Sequence, residues 1–170
     1  MRELAAAFAL ASTLGASAQA APALPAPPEE IGAITLPPGR LQPLSYSDRG
    51  AFFIDIERSG RKGDKAEAWI YTIYQPPIET DYGAAVELVS HGRLDCIKRT
   101  WSEAGAQAFD AAGKLVMWLP PEPKQAIEAN STYDFQARVL CDGETPPLPP
   151  VQDRAAAKAM ALTTLNSAGR

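Results

Sequence analysis

Three residues of this sequence are of types that carry metal, redox or nucleophilic chemistry: Cys96, Cys141 and His91. A structural zinc site needs four ligands at close spacing, so two isolated cysteines and one histidine are too few. A nucleophilic thiolate needs a histidine or a cationic neighbourhood that lowers its pKa. His91 lies five residues before Cys96, so on an unbroken strand their side chains point to opposite faces. A reactive thiol is therefore the least favoured of three interpretations, the others being a disulfide and two inert buried thiols.

Other catalytic arrangements find little support. Ser90 adjoins His91, but no Gly-x-Ser-x-Gly turn is present to expose a serine nucleophile. Single glycines mark turns and form no phosphate-binding loop. The acidic residues are scattered and mark no carboxylate pair for hydrolysis; the candidates are Glu79, Asp81, Glu87 and Asp95. The sequence therefore predicts no catalytic, cofactor-binding or metal site, and no enzyme.

The N-terminus predicts export. Residues 1–20 read MRELAAAFALASTLGASAQA: a short charged stub, an apolar run from Leu4 to Leu14, and small residues with an Ala-x-Ala site. This order is typical of a secretory signal peptide, so we expect cleavage after Ala20, with Ala18 as second choice. An alanine-rich amphipathic helix of the mature protein is the alternative. Export to the periplasm or cell surface would place both cysteines in an oxidising compartment, where an even number favours a disulfide.

Proline content suggests the domain boundaries. Eleven of the sixteen prolines lie within residues 22–43 and 146–150. We expect a Pro-rich, extended and partly disordered lead-in over 21–40, a folded body over 41–143, and a Pro-rich linker with an Ala-rich helix or tail over 144–170. The formal net charge of −4 gives no basic footprint for nucleic acid or anionic lipid. Beyond the signal peptide, no apolar stretch is long enough to span a membrane.

Within the folded body the hydrophobic period is two, which is typical of β-strands. In AFFIDIERSG this period puts Phe52, Ile54 and Ile56 on one face. The next strand, KAEAWIYTIYQ, is apolar on both faces, which predicts a central strand, and we expect it to end at Pro76–Pro77. Its aromatic residues could pack in the core or form an exposed binding platform; they are Trp69, Tyr71 and Tyr74.

The following segments complete a predicted sheet of five to six antiparallel strands. Residues 84–103 read as one long strand with a break or bulge near Gly92, and a tight turn at 110–113 joins two apolar arms. Residues 131–141 are ambiguous, because their apolar residues alternate like a strand. Yet Ser131 and Asp134 form a short capping box, which favours a helix.

From about Leu41 to Cys141, the order of features resembles the surface-adhesin protein E-like family of exported bacterial domains. The resemblance is carried by FFIDIERSGRKGDKAEAWIYTIYQPP, then RLDCIKRTW, then KLVMWLPPEP, and finally STYDFQARVLC. It implies an α+β fold, in which an antiparallel sheet has a helix packed on one face. It also implies that 131–141 is that helix, and that a disulfide from Cys96 to Cys141 ties it to the sheet. Some members of the family bind host matrix proteins.

The resemblance favours an exported, non-enzymatic binding module of the bacterial envelope, adhesin-like and with an unknown ligand. Its partner would be a protein or matrix component, and an open edge strand would also permit a homodimer. The alternative is a structural or assembly component of the envelope that recognises a partner subunit, and a third hypothesis is an enzyme with an unrecognised site. For the C-terminal tail we expect a helix with Ala155, Ala159 and Leu162 on its apolar stripe, docked on the domain or frayed.

Overall fold

A computed structural model of the protein describes residues 23–29 and 34–168. The predicted signal peptide, residues 1–20, lies outside the described residues, and the proposed domain boundaries stay predictions. The strands are β1 Leu41–Ser47, β2 Gly50–Asp55, β3 Gly60–Lys62, β4 Lys65–Thr80, β5 Gly83–Asp95, β6 Thr100–Phe109, β7 Leu115–Leu119 and β8 Gln125–Ala126. The helices are α1 Thr132–Asp142 and α2 Arg154–Ala168. No helix in the described part of the chain has the length and apolarity needed to cross a membrane.

All the strands join one antiparallel sheet, which confirms the predicted fold class. Six strands lie in the order β1-β2-β4-β5-β6-β7, so neighbours in space are almost all neighbours in sequence. Two short strands add to this meander, since β3 pairs with β4 and β8 pairs with β6. These two have only three and two residues, too few to show a period, and sequence periodicity did not predict them.

The two faces of the sheet pack against different helices. Ile54 and Ile70 face α1 and form a core cluster with Ala137 and Cys141, while Ile56 packs beside them. On the opposite face, Phe53 and Tyr71 pack with Ala157 and Ala161 of α2. The predicted helix therefore covers the predicted face of β2, and a second helix covers the other face.

The prolines of β4 do not end the strand, as we had expected. Pairing with β5 is irregular between Ile73 and Ile78 and then resumes from Ile78↔Ala85 to Thr80↔Gly83. Proline has no backbone N–H to donate to the ladder, so Pro76–Pro77 is accommodated in the irregular stretch. The consequence is a β4–β5 hairpin that extends beyond β6.

Residues 84–103 are two strands rather than the single one predicted. The bulge near Gly92 is present, with its register shift between His91 and Gly92. The strand then stops at Asp95, whose carboxylate accepts the backbone N–H of Lys98 at 2.9 Å, and Arg99 adopts φ 50°. Cys96 therefore lies in the turn between β5 and β6, where its own N–H donates to the Asp64 carbonyl at 2.8 Å.

Residues 131–141 form the helix that the resemblance implied. The Ser131 hydroxyl accepts the N–H of Asp134 at 3.2 Å, and the Asp134 carboxylate accepts the N–H of Asn130 at 3.1 Å. Gly143 ends the helix with φ 73°, in the left-handed region that glycine tolerates. Local capping at both ends thus favours helix over the strand-like alternation.

Both flanking segments pack on the domain. Ile34 of the lead-in is 4% exposed and joins the core under α2. The C-terminal segment is helical, but its buried positions are Ala157 and Ala161. The stripe that we predicted is wrong: Leu162 is 42% exposed, and Ala155 and Ala159 are also exposed. Small alanine side chains allow α2 to approach the sheet closely, whereas the larger leucine remains in solvent.

Candidate functional site

Both cysteines are used in one disulfide. Cys96 and Cys141 are bonded, with their Cα atoms 5.3 Å apart, a separation typical of disulfides. The bond joins the β5–β6 turn to the C-terminal end of α1 and packs beside Leu94 and Ala137. These sulfur atoms are thus committed to holding the helix on the sheet.

Charged residues around the disulfide also hold α1 on the sheet. Asp95 is 4% exposed and is paired with the Lys65 ammonium group. This hydrogen bond and the one from Lys98 N–H lower the Asp95 pKa to about 2. Arg99 pairs with Asp134 at 3.1 Å and with Asp142 at 3.0 Å, which anchors both ends of α1. Asp95 and Arg99 are therefore structural.

His91 stacks on an aromatic ring and lies near charged side chains. Its ring lies 4.3 Å from the Trp69 ring at an interplanar angle of 7°, and its Nε2 lies 3.6 Å from the Glu67 carboxylate. The Arg58 guanidinium lies 4.6 Å from the centroid of the same Trp69 ring and is fixed by Asp55 at 2.6 Å. Burial is the main cause of the lowered pKa of His91. Ser90 has its side chain on the other face, so the two candidates do not form a catalytic pair.

The acidic candidates are not brought together. Glu87 is fully buried, accepts the Tyr71 hydroxyl at 2.5 Å and pairs with Arg154 at 3.2 Å and with Lys158. It therefore anchors α2. Asp95 lies at one end of β5, whereas Glu79 and Asp81 are exposed at the hairpin beyond its other end.

The aromatic residues of β4 do not form an exposed platform. Tyr71 is 0% exposed, and Trp69 is half-buried on the same face. Tyr74 lies on the opposite face, beside the cluster that contains Leu88 and Val116. Core packing, the other interpretation of these residues, describes them better.

A cavity that sequence reasoning missed lies between the sheet and α1. It measures about 180 Å³ and contains Glu103, Ser90 and Tyr133 among its walls. Burial, reinforced by the Glu122 carboxylate, raises the Glu103 pKa to about 7, although a hydrogen bond with Ser90 opposes the shift. Tyr133 stacks on Trp101 with ring centroids 3.5 Å apart, and burial raises its pKa as well. No local signal marks Glu103, because α1 buries it from a distant part of the chain.

A larger groove opens at the edge of the sheet beside β7. We call it the Trp118 groove; it measures about 470 Å³ and lies between the tip of the β4–β5 hairpin and β7. Its walls are Leu24, Pro25, Ile78, Glu79, Thr80, Asp81, Tyr82, Val116, Met117 and Trp118. The Thr80 hydroxyl donates to the Gly83 carbonyl at 2.6 Å and lies 3.2 Å from the Val116 carbonyl, which ties the hairpin tip to β7. Exposed and half-buried apolar side chains thus line an accessible surface.

The fold is an antiparallel sheet to which the disulfide ties helix α1, the arrangement implied by the resemblance. Residues 41–142 match the family described as surface-adhesin protein E, which is more than half of the chain, so the protein belongs to that family. The match begins with β1 and ends with α1, so it leaves out the lead-in and α2. No curated protein and no solved structure gives a significant match. Family and disulfide together indicate an exported surface protein.

Proposed function

We propose that this protein is a non-enzymatic binding module of the bacterial envelope, adhesin-like, which recognises a protein or matrix partner. The observation that carries the proposal is the accessible Trp118 groove on a domain of the surface-adhesin protein E family. Protein-binding surfaces commonly use aromatic and methionine side chains within an apolar patch. Trp118, Met117 and Tyr82 supply such side chains here.

The contacts made by the two cysteines and by His91 support binding over catalysis. The two cysteines form the disulfide, and His91 is packed on Trp69 with a lowered pKa. Ser90, the hydroxyl next to His91 in sequence, lines the cavity beside α1 on the other face of the sheet, so His91 does not reach it as a base would reach a nucleophile.

The helices leave the β7 side of the sheet open. α1 and α2 pack on opposite faces of the sheet, and their main contacts are with β1 to β4. Strand β7 is the last in the sheet order, and edge strands are common sites for pairing with a partner. The groove lies beside this edge.

Binding can be tested with one exposed apolar residue in the groove and one outside it. Ile78 is 38% exposed in the groove, whereas Ile97 is 69% exposed in the β5–β6 turn. Purified mature protein and the variants Ile78→Lys and Ile97→Lys are compared for saturable binding to immobilised host matrix proteins. We expect Ile78→Lys to lose at least about tenfold in affinity, as charge burial at an interface would cause, and Ile97→Lys to bind like wild type.

A second experiment separates binding from catalysis. His91→Ala is introduced into a deletion strain, and the variant's folding and export are verified. Full complementation supports the binding role. Loss of function in a normally folded and exported His91→Ala protein would instead favour an enzyme.

A further inference from the structure

Part of the Trp118 groove is already filled by the chain itself. Residues 23–29, which we call the arm, contribute Leu24 and Pro25 to its walls. The Trp118 indole N–H donates to the Pro25 carbonyl at 3.1 Å. The arm is therefore held by a specific hydrogen bond as well as by apolar contact.

The sequence of the arm explains its shape. Pro25, Pro27 and Pro28 fix their own φ angles, and each disfavours helical backbone in the residue before it. Such a sequence favours an extended polyproline conformation, which has three residues per turn. Leu24 and Pro27 are half-buried, while Ala26 and Pro28 are exposed. One edge of the arm thus faces the protein, with the spacing of three that this conformation gives.

Trp118 supplies what a proline-rich segment needs from a receptor. In a polyproline conformation the backbone carbonyls are free to accept hydrogen bonds, because the conformation has no internal ones. The tryptophan side chain offers both an N–H donor and a flat apolar ring. Aromatic-lined grooves bind preformed extended proline segments with little loss of conformational entropy. Tyr82 and Met117 extend the apolar surface beside Trp118.

We propose that the Trp118 groove is a binding site for a proline-containing extended peptide of a protein partner, and that the arm occupies it in cis as a competitor. This inference rests on the proposed binding function and names the chemistry of the ligand. It also assigns the arm a role: a partner must displace it to bind. Ile34 is buried in the core, so the arm is tethered a few residues away and has a high effective concentration at the groove.

Acidic residues at the rim of the groove favour a positively charged peptide. Glu79 and Asp81 are exposed at the rim. No side chain of the arm supplies a cation to them, since its only charged side chain is that of Glu29. A partner peptide with a lysine or arginine beside its prolines would gain attraction that the arm lacks, and this gain would fall as salt is added.

The test uses the full mature chain and two matched arm variants. Leu24→Asp puts a charge on the edge that faces the groove, whereas Ala26→Asp puts the same charge on the exposed edge. The indole N–H resonances are followed by ¹H–¹⁵N correlation, and Trp118→Phe assigns the Trp118 peak. A synthetic peptide of residues 21–29 is then titrated into each protein.

We expect Leu24→Asp to shift the Trp118 peak and Ala26→Asp to leave it in place. The peptide should bind Leu24→Asp at least about tenfold more tightly than wild type, because the tethered arm no longer competes, and should return the peak towards its original position. Peptides carrying Ala21→Lys and Glu29→Lys should bind more tightly than the original, and high salt should remove this advantage.

Three results would overturn the inference. The first is a Trp118 peak that neither arm variant moves, because the arm would not occupy the groove. The second is a shifted peak with no peptide binding, because the tether alone would then hold the arm. The third is a dimer that Leu24→Asp converts to monomer in light scattering, because the arm would then fill the groove of a second copy. If any of these occurs while Ile78→Lys still weakens matrix binding, the proposed function stands and only the assignment of its ligand fails.

Discussion

At the scale of single residues, Glu103 is the side chain whose surroundings differ most from its sequence context. It lies on β6 within a run that reads as an ordinary strand, yet burial, reinforced by the Glu122 carboxylate, raises its pKa to about 7. One of its carboxylate oxygens is buried with no hydrogen-bond partner among the described residues. A buried carboxylate oxygen without a partner is costly, so the ionised Glu103 side chain should destabilise the folded state, although the hydrogen bond with Ser90 offsets part of this cost.

Glu103→Gln should therefore stabilise the protein in a pH-dependent way. Because the folded pKa is raised from 4.5 to about 7, the stability that wild type owes to proton binding is fully present below pH 4.5 and is lost as pH rises through 7. We expect the variant to be more stable than wild type by about 1–3 kcal/mol at pH 8, with a much smaller difference at pH 4.5. Urea unfolding at both pH values measures this.

The exposed Glu128→Gln is the control for that experiment, because Glu128 does not contribute to the shifted pKa of Glu103. This substitution also removes one negative charge but no buried carboxylate, so its effect on the free energy of unfolding should be smaller. An equal gain for Glu103→Gln at both pH values would contradict the account of Glu103.

At the scale of elements, the disulfide holds α1 to the sheet from its C-terminal end. It closes a loop with a sequence separation of 45 residues. Replacing both Cys96 and Cys141 with serine should lower the free energy of unfolding by about 4 kcal/mol, from loop-closure entropy. Urea unfolding of the double variant, beside wild type under oxidising and reducing conditions, checks this. A variant as stable as oxidised wild type would show that packing alone holds the helix.

Helix α2 depends on a different anchor, the buried Glu87. Its carboxylate is 0% exposed and is paired with Arg154 and Lys158. Lys158→Met should destabilise the protein by about 1–3 kcal/mol, because it leaves one side of this carboxylate unpaired. Adding Glu87→Gln should recover part of the loss, which a double-mutant cycle of unfolding free energies measures. Purely additive effects would mean that α2 docks without the ion pair.

Features that depend on neighbouring residues in the sequence could be predicted, whereas features that depend on distant residues could not. The ends of α1 could be predicted because Ser131, Asp134 and Gly143 act within a turn of the residues they cap. The strand stop at Asp95 could not, because a period of two continues through Cys96 and the turn depends on contacts outside that pattern, such as the Lys98 N–H donated to the Asp95 carboxylate. The Trp118 groove and the Glu103 cavity were likewise missed. Each is assembled from segments far apart in the chain, which no local pattern reports.

At the scale of the whole molecule, two helices pack on opposite faces of the sheet, mainly over β1 to β4, and the groove lies at the β7 edge. The family match spans the sheet and α1, whereas α2 packs on the second face and the arm lies in the groove. Segments on either side of the family domain therefore shape which surface is open. This arrangement favours a partner that reaches the β7 edge over one that stacks on β4.

The most direct test of this account is a hydrogen–deuterium exchange footprint of the bound protein. The mature protein is measured alone and in complex with the matrix protein that gives the strongest saturable binding. We predict added protection in residues 78–82 and 115–119, the hairpin tip and the β7 edge, and no added protection in the displaced arm. Protection confined to α1 or to the strand segments around Trp69 and His91, with the groove unchanged, would contradict the central claim that this protein binds through the Trp118 groove.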